Sequence, residues 1–264
     1  MVKNRLIPCL LLKNGHLVRS EKFRIHQIIG NPIHEVQRFN DWTVDELIYL
    51  DISEHENYDL RRDDLKVKNI VSILDILEEV SRFCFMPLTF GGRIRTIGDI
   101  RDRLQRGADK VTINTKALED PAFITESAQT FGSQCIVVSI DVKRHPDGEC
   151  EVFGSWGRKP TGLDPVEWAK TVERMGAGEI FLNSIDRDGT GEGYDLKLIQ
   201  SVVQGVKIPV IACGGVGKYE DFVDGITAAG ASAVSAANIF HFKELSDRYA
   251  KRVMNAHQID VRLK

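Results

Sequence analysis

Eight short apolar runs, at residues 6–12, 47–52, 87–90, 110–113, 136–140, 179–183, 209–213 and 233–236, stand out along the chain. Between them lie segments with an apolar period near 3.6, at 33–42, 67–82, 97–105, 122–130, 165–175, 195–203 and 219–228, and one more follows at 240–255. Runs without polar alternation belong to strands buried on both faces, and such strands alternating with helices make a parallel sheet. Eight units of this kind in 264 residues predict one α/β domain over residues 1–264, a (β/α)8 TIM barrel rather than a doubly wound open sheet.

An internal repeat supports the barrel. Gly91-Gly92 opens a unit that reaches Gly107-Ala108, and Gly214-Gly215 opens one that reaches Gly230-Ala231 at the same spacing. Residues 46–52 align with 179–185 in the same way, so two similar half-barrels of four units each are expected. No linker divides the chain. The irregular insertion is 145–160, with a Pro146-Asp147-Gly148 turn and a possible hairpin strand at 150–153; a loop there can act as a lid. The charge-dense run 61–68 reads as a solvated helix start.

Composition removes several function classes. A net charge of −3 supplies no basic field for nucleic acid and no polybasic membrane signal. The N-terminal residues enter the first strand without a signal-like region, and no run is long enough to span a bilayer, so a cytoplasmic protein is expected. Five cysteines, odd in number and scattered, favour buried free thiols over disulfides or a zinc site. The histidines lack ligand spacing, so no metal is expected, and no motif implies a cofactor.

In this architecture chemistry sits at the C-terminal strand ends. Gly91-Gly92 and Asn114-Thr115 in one half answer to Gly214-Gly215 and Ala237-Asn238 in the other. Each group pairs a glycine turn with a helix start, where free amides favour an anion; two phosphate sites across the mouth would accept an elongated bisphosphate, or the glycines only make tight turns. Arg93 stands where the other half has Val216, and either pairs with a phosphate or closes the site. Asp141, at the end of the fifth strand, is a candidate general acid or base, or a buried structural carboxylate. Aligning 9–13 with 139–143 puts Leu11 opposite Asp141, so a symmetric carboxylate pair is absent. The loop Asp186-Arg187-Asp188-Gly189-Thr190 carries two more carboxylates, with Asp188-Gly189 suited to anchor and orient a ligand. At the other end, Arg5, Glu46, Lys110 and Glu179 precede four strands; they can form alternating ion pairs that stabilise the floor or close an axial passage.

These motifs, with Arg5 to Leu10, Arg106 to Val111, Ser184 to Thr190 and Ala212 to Gly215, resemble the cyclase subunit of imidazole glycerol phosphate synthase along nearly the whole chain. The resemblance implies a barrel that receives ammonia from a glutaminase docked on its N-terminal face and passes it to a phosphorylated small molecule at the top. It implies a gate role for Arg5, Glu46, Lys110 and Glu179, and phosphate or substrate roles near Gly92, Asn114, Thr115, Asp188, Gly189, Gly215 and Asn238.

The departures lie on the substrate side. The family uses two aspartates; Asp141 matches one and Leu11 replaces the other. Loss of a positioned acid or base slows a reaction by about 10²- to 10⁴-fold, and leucine cannot move a proton. Arg93 replaces a family glycine, Arg19 a usual lysine, and Asn238 a small hydroxyl residue. Paralogues resembling this pattern accompany amidotransferases that modify surface-polysaccharide sugars, so delivery of ammonia to a different acceptor, with a sugar amidotransferase as a further partner, is the leading expectation. The alternatives are an authentic cyclase of histidine biosynthesis, with Asp51, Lys13 or Arg19 compensating for Leu11, and a non-catalytic scaffold for the glutaminase.

Overall fold

The strands read as unbroken apolar runs because each faces two cores. Along β1 (Arg5–Lys13), Leu6, Leu10 and Leu12 pack outward against the helix layer, while Ile7, Cys9 and Leu11 point into the barrel. The computed structural model describes residues 3–42, 44–55, 58, 72–242 and 246–263. In chain order β1 is followed by β2 (His16–Glu21), β3 (Ile25–Gly30), α1 (Pro32–Trp42), β4 (Leu47–Asp51), α2 (Ile73–Ser81), β5 (Leu88–Gly91), α3 (Ile97–Gln105), β6 (Lys110–Ile113), α4 (Thr115–Glu119) and α5 (Ala122–Phe131). Then come β7 (Ile136–Arg144), β8 (Cys150–Gly154), β9 (Lys159–Pro160), α6 (Pro165–Arg174), β10 (Glu179–Ser184), α7 (Leu196–Gly205), β11 (Val210–Cys213), α8 (Glu220–Thr227), β12 (Ala233–Ala236), α9 (Ile239–Phe242) and α10 (Ser246–Ala256).

Eight of these strands, β1, β4, β5, β6, β7, β10, β11 and β12, pair in parallel, and the β10–β7 and β12–β1 pairings close the circle. This is the expected (β/α)8 barrel. The helix at 97–105 and the strands at 110–113 and 233–236 fall where the pattern places them. The 61–68 charge run and the first part of the 67–82 helix lie outside the described residues. The helices α2 and α3 start on matching capping boxes, Ser72 with Asp75 and Thr96 with Asp99, which satisfy otherwise orphaned amides at both N-termini.

Two features exceed the pattern. The strand at 136–140 continues to Arg144 and pairs antiparallel with β8, from Asp141↔Phe153 to Arg144↔Cys150, so the insertion at 145–160 is a hairpin raised above the rim. A second hairpin, β2–β3, rises from the end of β1 through Leu11↔Val18 and Lys13↔His16. Its second strand is mostly solvent-facing, so it leaves no buried apolar run for the sequence to display.

The inner core is small and isolated: Ile7, Cys9, Leu11, Ile48, Val137, Phe181, Ile211, Cys213 and Ala233 form a column within the barrel. Phe181, fully buried there, is the largest piece of it. Phe181→Ala should lower the unfolding free energy by about 3–5 kcal/mol, read from urea unfolding as a reduced midpoint at an unchanged slope.

Candidate functional site

The barrel floor is a closed ring of charge. Arg5 Nη1 donates to Glu46 Oε1 at 2.7 Å, and Nη2 donates to Glu179. Lys110 Nζ completes the circle, donating to Glu46 Oε2 at 3.0 Å and Glu179 Oε2 at 3.1 Å. Each cation thus serves both carboxylates. Burial alone would lower the Arg5 pKa, but Glu179 and Glu46 together hold the guanidinium above its ordinary value. Alternation is what makes a partly buried quartet tolerable, since each desolvated charge meets two of opposite sign.

Above the ring the apolar column leads to a cavity of about 500 Å³ at the C-terminal mouth. Asp141, Asn114, Thr115, Gly92, Arg93, Asp188, Ala237 and Leu11 all line it. Asp141 Oδ2 accepts from Asn114 Nδ2 at 2.8 Å, and Oδ1 from Ser139 Oγ at 3.4 Å. Burial pushes the Asp141 carboxyl up to about 7, against the pull of Ser139 and Asn114 and with a further push from the Asp188 charge. A carboxyl poised near neutrality suits general acid or base work. Leu11, 9% exposed, sits beside Leu50 and Val18 in strand register.

The residues weighed as partners to Asp141 in place of Leu11 separate clearly. Asp51 and Lys13 line the cavity. Asp51 Oδ1 accepts from Ser53 N at 2.9 Å and from Ser53 Oγ, while Oδ2 is buried without a partner; burial raises its pKa. Arg19 is not at the cavity wall, and its Nε donates to Gln27 across the hairpin.

The two halves of the mouth differ. On the second-half side the β2–β3 hairpin is docked onto the Asp186–Thr190 loop. Asp188 Oδ2 accepts from Ser20 Oγ at 2.7 Å and Phe23 N at 3.2 Å, and the Asp188 carbonyl accepts from Lys22 N at 2.9 Å. Burial raises the Asp188 pKa despite these donors. Asn238 Nδ2 donates to the Ser20 carbonyl at 2.9 Å, and a Cβ on Gly189 would lie 2.3 Å from that same oxygen. Gly189, Gly214, Gly215 and Asn238, expected at a phosphate site, are not among the cavity-lining residues. Gly214 and Gly215 serve close packing: a Cβ would meet the Ser184 carbonyl at 2.7 Å or the Gly193 carbonyl at 2.1 Å, and Gly215 O accepts from Gly193 N at 2.8 Å. Asp186 accepts from Arg144 N at 2.6 Å and so seats the other hairpin.

Sequence reasoning passes over several wall residues: Ser20 and Phe23 from one hairpin, and Ser155, Trp156 and Arg158 from the other. Arg158 pairs with Glu54 at 2.8 Å, but pairings over such separations leave no local signal. All five cysteines are free; Cys9 and Cys213 are buried at the cavity base and the others half-buried. Burial pushes the Cys213 thiol up to about 12 and raises Cys9 as well. Among the described residues, no helix is long and apolar enough to cross a membrane.

A closed parallel barrel with a carboxylate-bearing cavity at the C-terminal strand ends is the scaffold of a barrel enzyme. The chain belongs to the histidine biosynthesis protein family, whose model matches residues 5–246.

Asp141 ties stability to pH. Its folded pKa, about 7, lies above the ordinary carboxylate value, so the neutral form is favoured in the fold. The stabilisation is fully present below about pH 4 and is lost as pH rises through 7. Asp141→Asn, which stays neutral, should therefore unfold at higher urea than the parent at pH 8, by up to about 4 kcal/mol. The gain should vanish at pH 4.

Proposed function

We propose that the protein is the ammonia-accepting barrel of a glutamine amidotransferase complex, close in design to the cyclase subunit of imidazole glycerol phosphate synthase but delivering ammonia to a different acceptor. The observation that carries this reading is the charge ring closing the base of an apolar column that ends at a cavity with Leu11 where a second catalytic aspartate is needed. Neutral ammonia crosses such a column at little cost, whereas ammonium does not. The ring is the narrow point between outside and column, and a partner that shifts one of its four side chains would open it.

The partner in this reading is a glutaminase on the N-terminal face. Phe85, 87% exposed, lies in the α2–β5 connection on the same side as the ring, with Phe83 39% exposed nearby. Exposed aromatic side chains of this kind anchor interfaces. The acceptor side of the complex is a sugar amidotransferase that modifies surface polysaccharide, which the eroded acid-base pair favours.

A second reading, an authentic cyclase, is favoured by one observation: Asp141 keeps its Asn114 partner and a pKa near neutrality. The two part in an assay with ammonium chloride and the ribulosyl bisphosphate substrate of the cyclase. Turnover of the parent protein at an ordinary cyclase rate would sink the first reading. That reading expects weak or no turnover, with Leu11→Asp raising it about tenfold or more, the low end of an acid-base contribution, if the phosphate sites are sound.

The docking claim is tested by co-purification from the native cell. A glutaminase should be retained, and Phe85→Asp should release it; Lys110→Met should instead keep the partner bound while uncoupling glutamine hydrolysis from amidation. Loss of both partner and coupling on Lys110→Met would make the ring an interface element only.

A further inference from the structure

In the preceding reading ammonia leaves the barrel for an acceptor enzyme, and its way out is the mouth. Ammonia that meets water at neutral pH is protonated and diluted, so efficient delivery needs a junction closed to solvent. Such a junction has to be made on the two hairpins. They meet at the cavity: a Cβ on Gly157 would lie 3.1 Å from the Phe23 ring, and Phe23 and Trp156 both line the cavity wall.

Each hairpin ends in a strand with a free edge, and the two edges are built oppositely. β9 is two residues long and closes on Pro160, a short edge that proline blunts further. β3 is six residues long without proline, and among the described residues it pairs with β2 alone. Ile25 and Ile28 are 53% and 45% exposed on it. They lie in the regular part of the ladder, three positions apart and so on opposite faces. Ile28 shares its face with His26, which lines the cavity. A long apolar edge of this kind recruits an extended segment through main-chain hydrogen bonds, with side chains gripped on both faces.

The hairpin also sets the charge of its occupant. Residues 16–30 hold Arg19, Lys22 and Arg24 against one carboxylate, Glu21. Lys22 and Arg24 are exposed and form no ion pair among the described residues. The exposed carboxylates of the cavity wall, Glu54 and Glu119, belong to the barrel rim, after β4 and at the end of α4; Glu54 is paired with Arg158. Two such hairpins side by side would repel each other, so an acidic strand suits this edge better than a second copy of the chain.

We propose that the mouth is a second docking face, on which the acceptor enzyme adds an extended, carboxylate-bearing segment to the outer edge of β3. Apolar side chains of that segment cover Ile25 and Ile28, its carboxylates meet Lys22 and Arg24, and Trp156 of the other hairpin completes the contact. The barrel is thereby a conduit held between two proteins. The inference rests on the preceding reading for the path of ammonia and the class of its acceptor.

The full chain with its glutaminase, titrated with the sugar amidotransferase of the same cell, tests it, with ammonium lost to the buffer per glutamine consumed as a parallel readout. One amidotransferase should bind per barrel. Ile28→Lys, at an exposed position, should keep Tm and the glutaminase while weakening amidotransferase binding by about 10- to 100-fold and raising the share of ammonium lost. Arg24→Glu should weaken binding about tenfold at low salt and much less at high salt. No amidotransferase binding, binding that neither substitution changes, or a homodimer that Ile28→Lys dissociates would overturn the proposal. The two readings fail separately: a bound glutaminase with no amidotransferase on the hairpin removes this one alone, and an amidotransferase on the hairpin without any glutaminase removes the other.

Discussion

The upper half of the molecule depends on one buried carboxylate. Asp188 is 8% exposed, and a charge so placed is tolerable only when donors surround it. The donors come from a hairpin 165 or more residues away in sequence, so satisfying Asp188 and seating the hairpin are one event. That event fixes which wall of the mouth is lined by side chains of the barrel and which by an added strand pair. The Asp186–Thr190 loop does the same for the other hairpin through Arg144. It is a bracket for two hairpins before it is anything else.

The lower half obeys the opposite logic. There the charges satisfy one another rather than a distant segment, and the ring is complete without ligand or partner. Removing one member would strand a partly desolvated opposite charge, which costs far more than the intact pair contributes. Between floor and mouth the column is mainly apolar side chains and thiols, with the buried hydroxyls of Thr89, Ser139 and Ser235 among them. Burial keeps the two thiols protonated at ordinary pH, so they add no charge to the barrel interior.

Much of this was legible in the sequence. The eight strands show because burial on both faces leaves unbroken apolar runs, and Arg5, Glu46, Lys110 and Glu179 show because each sits just ahead of such a run. Asp141 was readable by its position, and Leu11 by alignment of the halves. The hairpin contacts were not. Ser20, Lys22 and Phe23 reach Asp188 partly through backbone amides, which every sequence possesses, and β3 buries too little to carry a period. Gly214 and Gly215 were visible as a pair, but a glycine that admits a ligand and one that admits a neighbouring carbonyl look alike until the neighbour is seen.

Gly189 brings that ambiguity to a point. Its α-hydrogen faces the Ser20 carbonyl in a space where a methyl carbon would sit 2.3 Å from oxygen, so the hairpin's seat tolerates no side chain at this position. For a lineage of such barrels, position 189 is therefore a narrow crossing. A one-carbon change there would press on the Ser20 carbonyl and loosen the hairpin's hold on Asp188 and Asn238. The shape of the pocket can be altered from outside the core that holds the fold together, which leaves the scaffold free to acquire a new ligand while its floor and column stay as they are.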